Sequence, residues 1–137
     1  MIFVDTNVLI DLAYGRPPWG DWSRSAVAHA RVDGPVVVNR VVLAELSPSF
    51  DSLETVLGFL ETAGIVMTDL SDAAAFRAGK AHAAYRQAGG PREAILADFL
   101  IGGHASALGA TLLTRDRQRF AGYFPELKIV APEADHD

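Results

Sequence analysis

The sequence predicts an α/β protein in which a parallel sheet is covered by helices on both faces. Short runs rich in β-branched and other apolar residues alternate along the chain with longer stretches of helical pattern. The short runs are apolar at nearly every position, which is typical of parallel strands that are buried on both faces. Regular alternation of strands and helices is the pattern of a layered α/β fold.

The elements follow one another in a simple order. The segments with strand character are residues 2–4, 36–38, 65–68, 111–114 and 128–130. The segments with helical pattern are residues 7–14, 21–32, 40–46, 52–63, 71–87, 92–108 and 115–121. At least one predicted helix lies between each pair of consecutive strands, as parallel pairing requires.

Capping signals support several of these boundaries. Asn39 precedes the third predicted helix as an N-cap, and Ser71 opens the fifth. Gly89 and Gly90 are expected to end the fifth helix. Pro91 is expected to start the sixth, where a missing N–H costs nothing.

Composition limits the possible classes of function. The chain has 12 Lys and Arg against 17 Asp and Glu, and the net charge of −5 argues against non-specific adhesion to nucleic acid or anionic membranes. An acidic cleft can still take a nucleic-acid substrate when a divalent cation reverses its local charge. The lack of cysteine excludes disulfides and thiolate-bound zinc. We expect a cytoplasmic protein, because no signal peptide or membrane-spanning run is visible.

Four carboxylates stand out because their neighbours in the sequence are apolar: Asp5, Glu45, Asp98 and Asp116. A buried, isolated carboxylate costs several kcal/mol unless it is paired or binds a metal. Asp5 follows the first strand and Asp116 follows the fourth, at the edge where open α/β sheets gather their ligands. A shared cation would explain the whole set, and oxygen ligands without His or Cys suit Mg²⁺ or Mn²⁺.

Each carboxylate also has a simpler explanation when it is taken alone. Asp5 and Asp116 fit helix N-caps, and Glu45 fits an ordinary residue at the edge of a helix. Asp98 lies in an apolar stretch that predicts a helix buried all round, so it needs a partner. Arg115 could supply that partner in a structural salt bridge. The conjunction of the four is more specific than any one of them.

Four motifs surround these carboxylates, in a fixed order along the chain. They are Asp5-Thr6-Asn7, Val41-Val42-Leu43-Ala44-Glu45, Asp98-Phe99-Leu100-Ile101-Gly102-Gly103-His104-Ala105, and Leu112-Leu113-Thr114-Arg115-Asp116 with Phe120. Together they resemble the PIN domain, and in particular the VapC-type toxins of bacterial toxin–antitoxin pairs. The resemblance implies a PIN-like three-layer α/β/α sandwich with a central, mainly parallel five-stranded sheet. It predicts a single PIN domain over residues 1–132, followed by a frayed acidic tail at 133–137.

The resemblance also implies an activity and its partners. The expected function is that of an endoribonuclease dependent on Mg²⁺, with Mn²⁺ as a substitute, acting as the toxin of a type II toxin–antitoxin system. RNA is the expected substrate, and the expected protein partners are a second copy of the chain and a small VapB-like antitoxin that enters the active-site groove. No membrane partner is expected.

Residue roles follow from the same resemblance. Asp5 and Asp98 match the principal metal ligands, Glu45 and Asp116 match the remaining acidic positions, and Thr114 matches a hydroxyl beside the site. In the resulting hypothesis, a metal-activated water attacks the RNA phosphodiester. Arg115 is a further candidate, as a contact to the substrate phosphate.

Two other classes of function remain open at this stage. A haloacid-dehalogenase-like phosphatase would use Asp5 as a nucleophile, but it needs a second aspartate where this chain has Asn7. A phosphorelay receiver module needs adjacent carboxylates after the first strand, and here Val4 precedes Asp5. It also needs a lysine near a late strand end, and no lysine follows Leu113 there.

Overall fold

A computed structural model of the protein describes residues 1–89 and 95–133. The strands are β1 (Ile2–Val4), β2 (Val36–Val38), β3 (Ile65–Met67), β4 (Thr111–Leu113) and β5 (Ile129–Val130). The helices are α1 (Thr6–Tyr14), α2 (Gly20–Asp33), α3 (Arg40–Leu46), α4 (Leu53–Thr62), α5 (Asp72–Gln87), α6 (Leu96–Ala107) and α7 (Arg117–Tyr123). A short 3-10 helix, Ser47–Ser49, joins α3 to the segment before α4.

The five strands form one parallel sheet in the order β3-β2-β1-β4-β5. The chain moves outward from β1 to β3, then crosses to the other side of β1 and continues through β4 to β5. The direction of winding therefore reverses between β1 and β4, where Val4 pairs with Leu113. This arrangement confirms the predicted α/β class with a parallel five-stranded sheet. Ligands of such sheets bind outside the carboxyl ends of the strands at this reversal.

Burial of consecutive strand residues confirms that the sheet is covered on both faces. Phe3 and Val4 in β1 are fully buried, and Val36, Val37 and Val38 in β2 are at most 5% exposed. Successive side chains of a strand point to opposite faces, so both faces must be packed against helices. Within residues 1–89 and 95–133, no helix combines the length and the apolar character needed to cross a bilayer.

The sixth helix differs from its prediction at the N-terminal end. Ile95 has an extended backbone, with φ −105° and ψ 148°, and α6 begins at Leu96 instead of continuing from residue 92. Ile95 and Leu96 are 50% and 45% exposed, so the expectation of a helix buried all round is wrong in its first turn. The predicted start at Pro91, with Gly90 before it, lies outside the described residues, as does the tail from 134 to 137.

The seventh helix begins two residues later than predicted, at Arg117. Asp116 is its N-cap: the side chain accepts a hydrogen bond from the Arg119 N–H, which keeps Asp116 itself out of the helix. The predicted caps at Ser71 and Gly89 are confirmed. The Ser71 side chain accepts from the Ala74 N–H, and Gly89 follows α5 with a φ of +89° that favours glycine.

Glycine in α6 allows close packing against the C-terminal end of α7. A Cβ atom at Gly102 would lie 2.6 Å from the ring of Phe124, a residue that is 6% exposed. A Cβ atom at Gly103 would lie 3.2 Å from Ala78 of α5. The absence of side chains at these two positions thus brings α6 close to α5 and α7.

Candidate active site

Asp5 lies directly after β1, at the carboxyl end of the central strand. Its N–H donates to the carbonyl of Leu113 at 2.8 Å and extends the pairing with β4 by one step. One carboxylate oxygen accepts the Thr6 N–H at 2.8 Å, and the other accepts the Thr114 hydroxyl at 2.8 Å. The side chain is therefore the N-cap of α1 and is also fixed at the reversal between β1 and β4. Asp5 thus combines the role of a helix cap with a position at the ligand-binding edge of the sheet.

Burial of Asp5 is costly for its charged form. The residue is 4% exposed, and the pKa of its carboxyl is raised from 3.8 to about 6, with desolvation as the largest cause. The Thr114 hydroxyl, the charge of Arg119 and the Thr6 N–H act in the opposite direction, whereas the charge of Asp98 raises the pKa further. A cation beside Asp5 would relieve this cost.

The third helix brings Glu45 to the same edge. Asn39, fully buried at the end of β2, accepts hydrogen bonds from the N–H groups of Val41 and Val42 and so begins α3. Its amide nitrogen donates to the Leu100 carbonyl at 3.2 Å, which ties the start of α3 to α6. At the far end of α3, Glu45 accepts the Thr6 hydroxyl at 2.5 Å.

The same amide nitrogen of Asn39 lies 3.1 Å from Nδ1 of His104, which is 2% exposed. Because the Asn39 oxygen is occupied by the two backbone N–H groups, its nitrogen is the donor here and Nδ1 is the acceptor. Burial lowers the pKa of His104, which is consistent with a neutral ring. His104 is thus a structural residue that orients Asn39.

Asp98 lies in the first turn of α6 and is 6% exposed. Desolvation raises the pKa of its carboxyl, Arg119 lowers it, and the charges of Glu45 and Asp116 raise it. Glu45 and Asp116 thus act electrostatically on Asp98 although both are distant from it in sequence.

The loop after β4 contributes Thr114, Asp116 and Arg119. The fully buried Thr114 hydroxyl donates to Asp5 and accepts the Asp116 N–H at 3.0 Å. Arg119, in the first turn of α7, forms ion pairs with Asp116 at 3.1 Å and with Asp98 at 3.5 Å. Thr114 therefore links Asp5 to Asp116, and Arg119 links Asp116 to Asp98.

Arg115, the alternative partner considered for Asp98, does not pair with it. Arg115 pairs instead with Asp11 of α1 at 2.5 Å, and its N–H donates to the Asn7 side chain at 3.3 Å. These contacts hold the loop after β4 against α1. Arg119 takes the place next to Asp98, and a basic residue three positions after the N-cap Asp116 was the only signal for it in the sequence.

An open pocket of about 380 Å³ lies between these elements. Its lining residues are Asp5, Thr6, Asn7, Ile10, Glu45, Ile95, Asp98 and Arg119. Three of the four predicted carboxylates thus share one cavity. Asp116 and Thr114 do not line it, and they are connected to it through Arg119 and Asp5.

The donor set suits a hard dication, but the carboxylates have internal partners. Among the described residues, no three acidic or imidazole side chains stand close enough to hold one ion as they are arranged. Thr114 binds Asp5, Thr6 binds Glu45, and Arg119 pairs with both remaining carboxylates. All the acidic donors are oxygen atoms, as Mg²⁺ and Mn²⁺ prefer. The residues fit such an ion if these internal contacts are exchanged for it.

Residues 2–123 match the PIN domain family, and the chain therefore belongs to that family. No individually curated protein sequence matches the chain significantly. The fold is similar to that of VapBC2 from Rickettsia felis bound to a DNA fragment from their promoter, with 23% identity, a TM-score of 0.75 and coverage of 96% of this chain and 98% of that one. It is also similar to VapBC-1 from nontypeable Haemophilus influenzae, with 22% identity, a TM-score of 0.70 and coverage of 96% and 98%.

A third similar structure is a toxin–antitoxin complex from Klebsiella pneumoniae, with 22% identity, a TM-score of 0.68 and coverage of 97% of this chain and 98% of that chain. The predicted resemblance to the PIN domain is confirmed. PIN domains form a nuclease family, so the chain is placed among the nucleases rather than among the phosphatases or receiver modules.

Proposed function

We propose that this protein is an endoribonuclease dependent on Mg²⁺ or Mn²⁺ and the VapC-type toxin of a type II toxin–antitoxin pair. The observation that carries the proposal is the shared pocket at the winding reversal, where Asp5, Glu45 and Asp98 converge from three separate segments. Burial destabilises the ionised form of a carboxylate and raises the pKa of both Asp5 and Asp98. Buried carboxylates with raised pKa values in a cleft are typical of functional sites.

In this proposal Asp5 and Asp98 hold the cation directly, and Glu45 and Asp116 bind it through water or place a second ion. When bound, the cation supplies an activated water and neutralises charge on the phosphate oxygens. Thr114 keeps the Asp5 carboxylate oriented through its hydrogen bond. Arg115 remains a candidate phosphate contact, although its guanidinium pairs with Asp11.

The proposed partners are a second copy of the chain, an RNA substrate and a small VapB-like antitoxin. Support for the antitoxin comes from the similar structures, several of which are VapBC complexes in which this chain covers 98% of the matched chain. Co-purification with the product of an adjacent small reading frame would test this part of the proposal.

The nuclease activity is tested with purified protein and end-labelled RNA, in Mn²⁺ and in chelator. Cleavage is expected in Mn²⁺ but not in chelator. Asp98→Asn should reduce the rate by about 1,000-fold, because a metal ligand supports several kcal/mol of transition-state stabilisation. Asp51→Asn, at an exposed position outside the site, is the matched control and should cleave like the wild type.

Circular dichroism should show that the Asp98→Asn variant is folded, since the amide has the shape of the carboxylate it replaces. Cleavage that persists in chelator, or in the folded Asp98→Asn variant, would show that the proposed site is wrong.

A further inference from the structure

Arg119 is the single basic side chain among the described residues that line the acidic pocket. Its Nε lies 3.1 Å from one oxygen of Asp116, and a terminal nitrogen lies 3.5 Å from one oxygen of Asp98. One guanidinium therefore pairs with two of the four carboxylates that are assigned to the cation.

The contacts of Arg119 are electrostatic rather than directional. In the part of the chain that the structure describes, its buried Nε makes no hydrogen bond of acceptable geometry. The Arg119 side chain is 36% exposed, whereas that of Asp98 is 8% exposed. The guanidinium can therefore move towards solvent while the carboxylate stays in place, and partly exposed ion pairs exchange readily for water.

We propose that Arg119 takes the place of the cation in the metal-free protein, leaves when the metal binds, and then contacts a phosphate of the substrate. The inference rests on the proposed function, because it requires a metal at these carboxylates. Mg²⁺ binds its oxygen ligands at about 2.0–2.1 Å. A guanidinium 3.1 to 3.5 Å from the same carboxylates would stand within a few ångströms of the ion, where like charges repel. Metal and guanidinium thus exclude each other.

The backbone keeps the displaced guanidinium beside the pocket. The Arg119 N–H donates to Asp116 at 3.3 Å, so the start of α7 holds the residue in position whatever its side chain does. A phosphate diester offers the oxygen acceptors that the planar guanidinium fork matches best. Arg115 is a poorer candidate, because it is already paired with Asp11.

The first test measures Mn²⁺ affinity by isothermal titration calorimetry. Arg119→Met should bind Mn²⁺ at least about tenfold more tightly than the wild type, because a competitor that fills the site nine-tenths of the time weakens apparent affinity tenfold. Arg117→Met is the matched control: it makes the same change in net charge at an exposed position of the same helix. Its affinity should stay within about threefold of the wild type, since exposed charges are screened.

A second variant, Arg119→Gln, removes the charge but keeps hydrogen-bond donors, and it serves if Arg119→Met does not fold. It should also bind Mn²⁺ more tightly than the control. Affinity in both folded variants equal to that of Arg117→Met, or weaker, overturns the exchange between metal and guanidinium.

The second test measures RNA cleavage at saturating Mn²⁺. Arg119→Met should lose at least about tenfold in kcat/KM despite its tighter metal binding, because the phosphate contact is missing. Cleavage equal to that of Arg117→Met overturns the phosphate contact. A wild-type protein that binds no Mn²⁺ refutes the proposed function itself. A wild type that binds Mn²⁺ and cleaves RNA, with no change of affinity in Arg119→Met, refutes only this inference.

Discussion

The buried carboxylate of Asp5 is expected to destabilise the fold when it is ionised. The carboxyl is 4% exposed, and burial raises its pKa from 3.8 to about 6. The folded protein therefore binds this proton more tightly than the unfolded chain, so ionisation of Asp5 destabilises the fold. At about 1.36 kcal/mol for each pKa unit, the rise of about two units corresponds to about 3 kcal/mol.

The sign and the pH range follow from the two pKa values. The destabilisation is absent below pH 3.8, grows as the pH rises from 3.8 to about 6, and is complete above that. Asp5→Asn removes the charge and keeps one oxygen for the Thr6 N–H, but it disturbs the bond from the Thr114 hydroxyl, at a cost of about 1 kcal/mol. Without metal, the variant should thus be about 2 kcal/mol more stable than the wild type at pH 8.

The assay is urea unfolding followed by circular dichroism in chelator at pH 4, 6 and 8. The advantage of Asp5→Asn should shrink as the pH falls and should disappear by pH 4, where the wild-type carboxyl is largely protonated. Asp51→Asn, at an exposed position, controls for the change in net charge. A difference between Asp5→Asn and the wild type that is independent of pH, or a less stable variant at pH 8, would refute the reasoning.

Three further predictions concern the metal and the packing around the site. Millimolar Mn²⁺ should raise the Tm of the wild type, by an amount equivalent to about 2.7 kcal/mol of stability when the free Mn²⁺ concentration is 100 times Kd, and chelator should reverse the effect. An unchanged Tm in a thermal melt contradicts the metal site. Asn39→Ala should lower the free energy of unfolding in urea by about 1–3 kcal/mol, because it removes the cap of α3 and leaves His104 and the Leu100 carbonyl without their donor. A stability within about 0.5 kcal/mol of the wild type would contradict a stabilising role for these Asn39 hydrogen bonds. Gly102→Ala should lower the free energy of unfolding by about 1–3 kcal/mol, because the new Cβ atom would clash with Phe124. The control Gly79→Ala, at a helical glycine with open space at its Cβ position, should be neutral or stabilising, so equal urea midpoints for the two variants would contradict the packing.

The sequence was sufficient for the fold class because the central strands β1, β2 and β4 are buried on both faces. A run such as Val36–Val38 has no polar alternation, so its pattern identifies a parallel strand without any tertiary information. The order of the strands was not predictable in this way. Which strand lies beside β1 depends on packing between helices that are far apart in sequence, and no local pattern carries that information.

The candidate site was only partly predictable, because an aspartate between a strand and a helix can be a helix cap, a site residue or both. Asp5 and Asp116 are both N-caps, as their position before a helix indicates, and both are also among the four carboxylates of the candidate site. Burial is what separates the two roles. Asp5 is buried, which a cap does not require, whereas the Asp116 side chain is 44% exposed. Arg119 was missed because its pairing with Asp98 crosses from one helix to another.

The position of three of the four carboxylates at helix starts also explains how the fold tolerates them without a metal. Asp5 caps α1, Asp98 lies in the first turn of α6 and Asp116 caps α7. The start of a helix carries unpaired N–H groups and the positive end of the helix dipole, which stabilise a nearby carboxylate. Because parallel strands run into helices at the same edge, several such helix starts converge there. The same geometry that gathers the carboxylates for a cation therefore supplies part of the positive potential that holds them before the cation binds.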